Sequence, residues 1–425
     1  MTGIDQTQDR AALDRAARQN YGKLLASLVK FCGDFDLAED GLQEAMTRAA
    51  EKWPKGGKPR NENSWLITVA RNCITDHLRK DFRSSGQLEF DEIPGPDNNV
   101  DGRDDRTEFK DERLGLIFMC CHPALESSMR VALTLKSLCG LSTRQIAAVF
   151  LQKETTMAQR IVRAKRKIRK SGISFSDDSG AIPLNRLDDV LAVIYFVFNE
   201  GYYSISEDRL IDTSLCEEAV FLARMLCQLM PLETEPRGLL ALMYFHQARE
   251  SARQSIDGHT IEMHSQNRSA WDRAKITTAD RVLRGVLMRG RPGPYQIQAA
   301  ISALHCHAPS FEETDWQQIK MLYLELLRHT DTPVVHLNLC VAIRYADSPE
   351  QAYDYLCKFV DPDPLNEYLP YHLTKGRLQL DLSDFKAAED SLTTALGHCR
   401  NQREETHIRS LLNQPGVASS PSEKP

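Results

Sequence analysis

GLSTRQIAAVFLQKETTMAQRIVRAKRKIR, residues 140–169, decides the fold of the segment around it. Ser142-Thr143-Arg144-Gln145 fits a capping box, in which a serine N-cap and a glutamine three residues on satisfy each other's backbone N–H groups. A short helix carrying Ile146, Ala147, Val149 and Phe150 follows, and a turn at Leu151-Gln152-Lys153 leads to a second helix from about Glu154. On the second helix Met157, Ile161, Ala164 and Ile168 recur at helical spacing, a single apolar stripe facing a core. The opposite side presents Thr155, Gln159, Arg163 and Arg166, flanked by Thr156 and Arg160. Small polar and arginine side chains at the start of such a helix suit base edges in a major groove. The basic run 163–170 suits phosphates. The pattern is a helix-turn-helix.

Charge supports that reading. The 425-residue chain has a net charge of −6, but 113–170 holds 12 Lys+Arg against 2 Asp+Glu, a local +10 whose natural partner is a polyanion. Taken alone, a basic run is more often a solvated helix face; its coincidence with the helix-turn-helix favours nucleic acid. Residues 84–112 hold 3 against 10, net −7. Within them SSGQLEFDEIPGPDNNVDGRDD reads as an acidic flexible linker, 84–108. Nowhere do eighteen apolar residues run together, so no transmembrane helix is expected. The N-terminus has no apolar core of a signal peptide. With no export signal, the eleven cysteines read as reduced thiols of a cytoplasmic protein.

Upstream, 10–83 reads as helical, with breaks at Gly33 and across Trp53–Pro59. In DFDLAEDGLQEAMTRAAEKW (34–53) a stripe of Leu42, Ala45, Met46, Ala49 and Trp53 opposes a face carrying Asp36, Glu39, Asp40, Gln43 and Glu44. In NENSWLITVARNCITDHLRKDFR (61–83) the expected buried stripe is Leu66, Val69, Ala70, Cys73 and His77, with Trp65 at its edge. Thr68, Arg71, Asn72, Thr75 and Arg79 are expected on the other side.

These segments resemble the sigma-70 family of RNA polymerase sigma factors. Residues 140–169 are similar, without a gap, to the promoter-binding region 4, with Leu151 where glycine is common and Lys153 where proline is common. Residues 34–53 resemble region 2.2, and 61–83 resemble regions 2.3 and 2.4. Both halves stand in order with no further domain between them, the arrangement of the extracytoplasmic-function group. The resemblance implies that Asp36, Glu39, Asp40, Gln43 and Glu44 face core RNA polymerase. It also implies that Arg60, Asn63, Trp65, Arg71, Asn72 and Arg79, with the loop Lys58–Ser64, open and read a minus-ten element. Thr155, Thr156, Gln159, Arg160, Arg163, Arg166 and Lys167 would then read a minus-thirty-five element. Promoter DNA and the core enzyme are the expected partners. By analogy the acidic linker threads the polymerase's nucleic-acid channels; as a plain solvated tether it is equally expected.

Beyond a short joint at 171–183, residues 184–412 read as helix after helix, and 413–425 as a disordered tail. Ala219, Ala223, Leu226 and Pro231 fit a tetratricopeptide-like second helix, as do Ala352, Leu356, Phe359 and Pro364, and Gly376 with Ala388, Leu392 and Ala395. The expected fold is therefore all-α: region 2 at 10–83, region 4 at 109–170, and a TPR-like helical-repeat domain at 184–412. FNEGYYSI (198–205), DGHTIEMHSQNRSAWDRAKI (257–276) and GRPGPYQIQAAISALHCHAP (290–309) look like signature segments of the sigma subgroup with such an extension, with HSQNRSAWD departing from a more acidic run. Asn199, Glu200, Tyr202, Gln266, Arg268, Trp271, Asp272, Tyr295 and Gln298 are candidates to line a concave site for a ligand or for the chain's own sigma domains. The more ordinary expectation for them is buried caps and hydrogen bonds between repeats.

No P-loop, dinucleotide fingerprint or HExxH occurs. Cys120-Cys121-His122 and His305-Cys306-His307 lack the spaced partner pair of a tetrahedral site, so neither a metal nor another cofactor is expected, and no enzymatic activity. The rival readings are a helix-turn-helix regulator with a TPR-type sensor, against which the 34–53 face argues, and a TPR scaffold, against which the basic segment argues.

Overall fold

The structure, a computed structural model, describes residues 20–56, 59–85, 112–150, 152–173, 186–202, 213–253, 261–290, 292–399 and 402–414. Most of the expected linker, the turn residue Leu151 and most of the expected tail lie outside them. Among the described residues every regular element is a helix. Two compact units divide the chain, 1–197 and 198–425. The division falls within a helix (Leu187–Tyr202) rather than at the expected joint.

In the first unit, helix α1 covers 20–32, α2 Phe35–Gly56 and α3 Glu62–Ser85. Gly33 stops α1 in the left-handed region (φ 70°), where its N–H reaches Val29 O at 2.7 Å. Asp34 then caps α2, its Oδ1 accepting from the N–H groups of Asp36 and Leu37. The buried faces are Phe35, Ala38, Leu42, Ala45 and Ala49 on α2, and Leu66, Ile67, Val69, Ala70, Cys73 and Ile74 on α3. His77 is exposed, which corrects the expected stripe, and Thr75 is buried. The two isoleucines, Ile67 and Ile74, rotate the buried face of α3 towards themselves, because branched aliphatics release more free energy on burial than an imidazole.

Helices α4 (Arg113–Cys120), α5 (Ser127–Ser137), α6 (Thr143–Val149) and α7 (Glu154–Lys170) follow. The capping box forms at α6: Gln145 N–H donates to Ser142 Oγ at 3.2 Å, and Ser142 N–H to Gln145 Oε1 at 2.9 Å. Met157, Ile161, Ala164 and Ile168 are all buried, as their spacing predicts. Helix α1 meets the end of α5 so closely that a Cβ on Gly22 would lie 2.7 Å from Leu138 O. Helix α8 (Leu187–Tyr202) closes this part of the chain, with Arg130 paired to its Asp189 at 2.9 Å.

The second unit holds α9 (Thr213–Leu229), α10 (Glu235–Ala248), α11 (Arg273–Leu287), α12 (Pro294–His307), α13 (Trp316–Leu327), α14 (Pro333–Ala346), α15 (Pro349–Phe359), α16 (Leu369–Asp381), α17 (Phe385–Gly397) and α18 (Gln402–Leu412). Starts are written locally: Thr332 and Ser348 cap α14 and α15, each followed by a proline in the first turn. Helices α12, α14 and α16 begin at 294, 333 and 369, each followed by a partner helix. Gly376 lets α16 lie against α17, since a Cβ there would stand 2.8 Å from Leu392. Ala388, Leu392 and Ala395 complete that seam, all fully buried. Phe359, one of the expected repeat positions, is instead exposed.

Candidate nucleic-acid interface

The helix-turn-helix is built on α5. Capping fixes where α6 starts, and the apolar stripe of α7 fixes how that helix is rotated. Thr155, Thr156, Gln159, Arg163, Arg166 and Lys167 consequently all face solvent, and Arg160 is half-buried with its guanidinium 5.6 Å from the Phe150 ring centroid. Six polar side chains on one exposed flank, two of them arginines, can donate to base edges and phosphates at once.

On α3 the arrangement is less open. Arg60 is exposed, and Asn63, Asn72 and Arg79 are half-buried. Trp65 packs edge-on against Trp53 of α2, ring centroids 5.6 Å apart. Arg71 turns back on α1, with Nη2 donating to Ser27 Oγ at 3.3 Å and its guanidinium 5.3 Å from the Phe31 ring centroid. Burial there lowers its pKa. Arg79 lies 4.0 Å from Asp76.

The acidic face of α2 has two parts. Asp40, Gln43 and Glu44 point to solvent, with Arg48 pairing Glu44 along the helix at 2.9 Å. Asp36 and Glu39 are engaged by α7: Lys165 Nζ lies 3.0 Å from Asp36 Oδ1 and 2.9 Å from Glu39 Oε2. Arg169 adds bridges to Asp36 and to the capping residue Asp34. Lys165 is only 7% exposed. Burial opposes its charge, but Glu39 and then Asp36 outweigh that and raise its pKa, so the ammonium stays charged. Sequence reasoning assigned the whole run 163–170 to phosphates and missed this clasp. One signal was present: Lys165 falls beside Ile161, Ala164 and Ile168 on the buried side of α7.

The candidates in the second unit separate into structural roles. Tyr202 is buried, its hydroxyl donating to His246 O at 3.1 Å, with the Arg253 guanidinium 3.9 Å from its ring centroid. Asn199 has a buried Oδ1, and Glu200 is half-buried. Arg268, 7% exposed, donates to His305 O at 2.6 Å and Ala308 O at 2.7 Å, capping the C-terminus of α12, and packs on buried Trp271. Asp272 caps α11 by accepting from Ala274 and Lys275 N–H. Gln266 donates to Ile261 O, Gln298 to Pro294 O, and the N–H of Tyr295 to Glu235. None of these residues lines a cavity that this unit forms between 261–265, α14, α16 and α18.

The cysteine–histidine clusters sit in cores. Cys120 and Cys121 are buried, and burial raises both thiols, Cys121 to about 12. His305 packs edge-on against Trp316, and burial together with Arg249 and Arg268 lowers it to about 3. Among the described residues no group of three or more His, Cys, Asp or Glu is placed to hold a metal ion, and no helix is long and apolar enough to cross a membrane.

Comparison with known proteins follows the same divisions. Residues 16–83 match Sigma-70 region 2, residues 115–168 match Sigma-70 region 4, and residues 186–287 match a family of unknown function, DUF6596. An uncharacterised protein of Rhizobium meliloti is 36% identical over 419 residues, covering 97% of this chain and 98% of that one. The ECF RNA polymerase sigma factor SigE of Mycolicibacterium smegmatis is 26% identical over 171 residues, 39% of this chain and 65% of its own length. The RNA polymerase sigma-H factor of Pseudomonas aeruginosa is 29% identical over 176 residues, 39% of this chain and 89% of its own length. No solved structure matches the chain. With an exposed polar flank on a capped helix-turn-helix, a tryptophan-braced helical pair ahead of it, and both sigma regions matched in order, the chain belongs to the sigma-70 family, as a factor of the extracytoplasmic-function type whose C-terminal extension carries a DUF6596 domain at residues 186–287.

Proposed function

We propose that this chain directs core RNA polymerase to a specific set of promoters and starts transcription there, without catalytic chemistry of its own. The exposed flank of α7 supports the reading most directly: Thr155, Thr156, Gln159, Arg163, Arg166 and Lys167 stand free on a helix whose other side is core. In this role α7 reads the minus-thirty-five element. Arg60, Asn63, Trp65, Asn72 and Arg79 serve the minus-ten element, where unstacked bases of a melted strand meet aromatic and amide groups. Arg71 serves first to hold α3 on α1. The acidic face of α2 seats on the core enzyme through Asp40, Gln43 and Glu44, and through Asp36 and Glu39 once Lys165 releases them. The helical-repeat unit, TPR-like in its seams, regulates or assists this engagement. The protein acts in the cytoplasm, where the polymerase is.

Run-off transcription with purified core enzyme tests the reading. The chain alone with core must give promoter-specific transcripts. A helix-turn-helix regulator acting beside the polymerase would give none without another sigma factor. Asp40→Lys with Glu44→Lys is expected to abolish core binding while the far-ultraviolet circular dichroism and melting curve stay as in the parent. Unchanged core binding would remove α2 from the interface.

A further inference from the structure

A cavity of the second unit lined by residues of 261–265, α14, α16 and α18, about 540 Å³, is within the size range of ligand pockets. Its walls combine apolar Ile261, Leu380 and Leu411 with charged groups. Arg344 of α14 is neutralised by Asp381 of α16. The remaining cationic and imidazole groups converge on one carboxylate. Arg377 Nη2 donates to both oxygens of Glu262, at 2.8 and 2.7 Å. His407 Nε2 is 2.8 Å from Oε1, and His264 Nδ1 is 3.1 Å from Oε2.

This is a seat for a carboxylate drawn from α16, α18 and the 261–266 segment, and it is filled from within the chain. Glu262 is not part of a helix; it precedes a single 3-10 turn (Met263–Ser265). The backbone there is anchored separately, Ile261 N–H to Arg253 O at 2.8 Å and Gln266 Nε2 to Ile261 O at 2.9 Å. The side chain can therefore swing out without moving its segment. Its occupancy does not exhaust the donors: Arg377 Nε is buried with no hydrogen-bond partner among the described residues. The fixed Asp381 disfavours a dianion such as phosphate, while a planar two-oxygen group fits. The apolar walls and the volume left beside one glutamate side chain suit a peptide with an aliphatic residue next to an acidic one.

We propose that this cavity binds a carboxylate side chain of an acidic, partly apolar peptide, and that Glu262 is a built-in competitor that the peptide displaces. A competitor within the chain lowers the apparent affinity by the fraction of molecules in which the seat is free. Removing it has the opposite effect.

The test is fluorescence anisotropy on the full-length chain with the labelled peptide Leu-Glu-Leu-Glu-Leu and its glutamine counterpart Leu-Gln-Leu-Gln-Leu. Glu262→Ala is expected to bind the acidic peptide at least about ten-fold tighter than the parent, and the glutamine peptide no better. Adding Arg377→Ala to that variant is expected to erase the gain. Equal affinity of parent and Glu262→Ala for the acidic peptide, or a gain shared by both peptides, overturns the proposal. If Glu262→Ala melts below the assay temperature, Glu262→Gln, which keeps the side chain's shape but not its charge, is read by the same criteria. The measurement involves neither polymerase nor promoter, so its failure leaves the transcription reading untouched.

Discussion

Replacing Lys165 by methionine tests whether the contact between α7 and α2 limits access to the polymerase. The ammonium bridges Asp36 and Glu39 at 3.0 and 2.9 Å, and the lysine side chain is 7% exposed while its partners are 54% and 18% exposed. Ion pairs open to water contribute about 0–1 kcal/mol each. With the lysine almost fully shielded, each of its two pairs belongs near the top of that range, about 2 kcal/mol in total. Methionine fills a similar volume on the buried side of α7, so the helix-turn-helix keeps its packing. The two carboxylates return to water when α2 separates from α7. If the engaged form dominates in the free protein, losing about 2 kcal/mol raises the open fraction, and with it the apparent affinity for core enzyme, by roughly 30-fold. Titration of labelled protein with core polymerase measures this directly. Arg166→Met is the control, since it removes the same charge from an exposed position on the same helix and should leave core affinity unchanged. Unchanged or weaker core binding by Lys165→Met refutes the argument: Asp36 and Glu39 would then either not face polymerase or not be withheld from it.

Three further outcomes follow from the geometry. Arg163→Ala should weaken promoter binding across sequences and lower the salt slope of log K by about one, as measured by anisotropy from low to moderate salt. Partial burial raises the Glu262 carboxyl, but hydrogen bonding from His407 and the charge of Arg377 outweigh it and lower its pKa from 4.5 to about 2. A depressed carboxyl stabilises the fold above its unfolded value and loses that contribution as pH falls from about 4.5 towards 2. The difference in urea midpoint between the parent and Glu262→Gln should accordingly shrink across that window. Gly238→Ala should lower the melting temperature, because its Cβ would lie 2.8 Å from Gln296 N, backbone that cannot swing aside. Overpacking of about 1–3 kcal/mol outweighs the helix propensity gained, a fall of several degrees.

Much of the first unit is legible in the sequence alone. The capping box at Ser142 and Gln145 and the stripe of Met157, Ile161, Ala164 and Ile168 are local signals: the first fixes the start of α6 and the second the rotation of α7, without reference to the rest of the chain. The region-2 helices were legible in position but less in rotation. Placing His77 in the core required choosing between stripes that share Ala70 and Cys73, and only packing against α2 favours the one through Ile67 and Ile74. In the second unit the close approach at Gly376 was readable because a short residue and a periodic partner helix leave a pattern. The polar candidates were readable only as a preference for caps over a ligand site, because Arg268 and Asp272 look alike in sequence whether they cap helices or hold ligands.

The sequence alone therefore determined an all-helical fold with a basic helix, a preceding acidic helix and a run of further helices after them, because helix period, capping and charge are encoded within one or two turns. Tertiary structure decided the pairings that need residues distant in the chain to meet. Lys165 on Asp36 and Glu39, and Arg377 with His407 on Glu262, join charges whose sequence neighbours say nothing of each other. An ion pair is fixed by distance and shielding from water, and both are properties of the packed molecule.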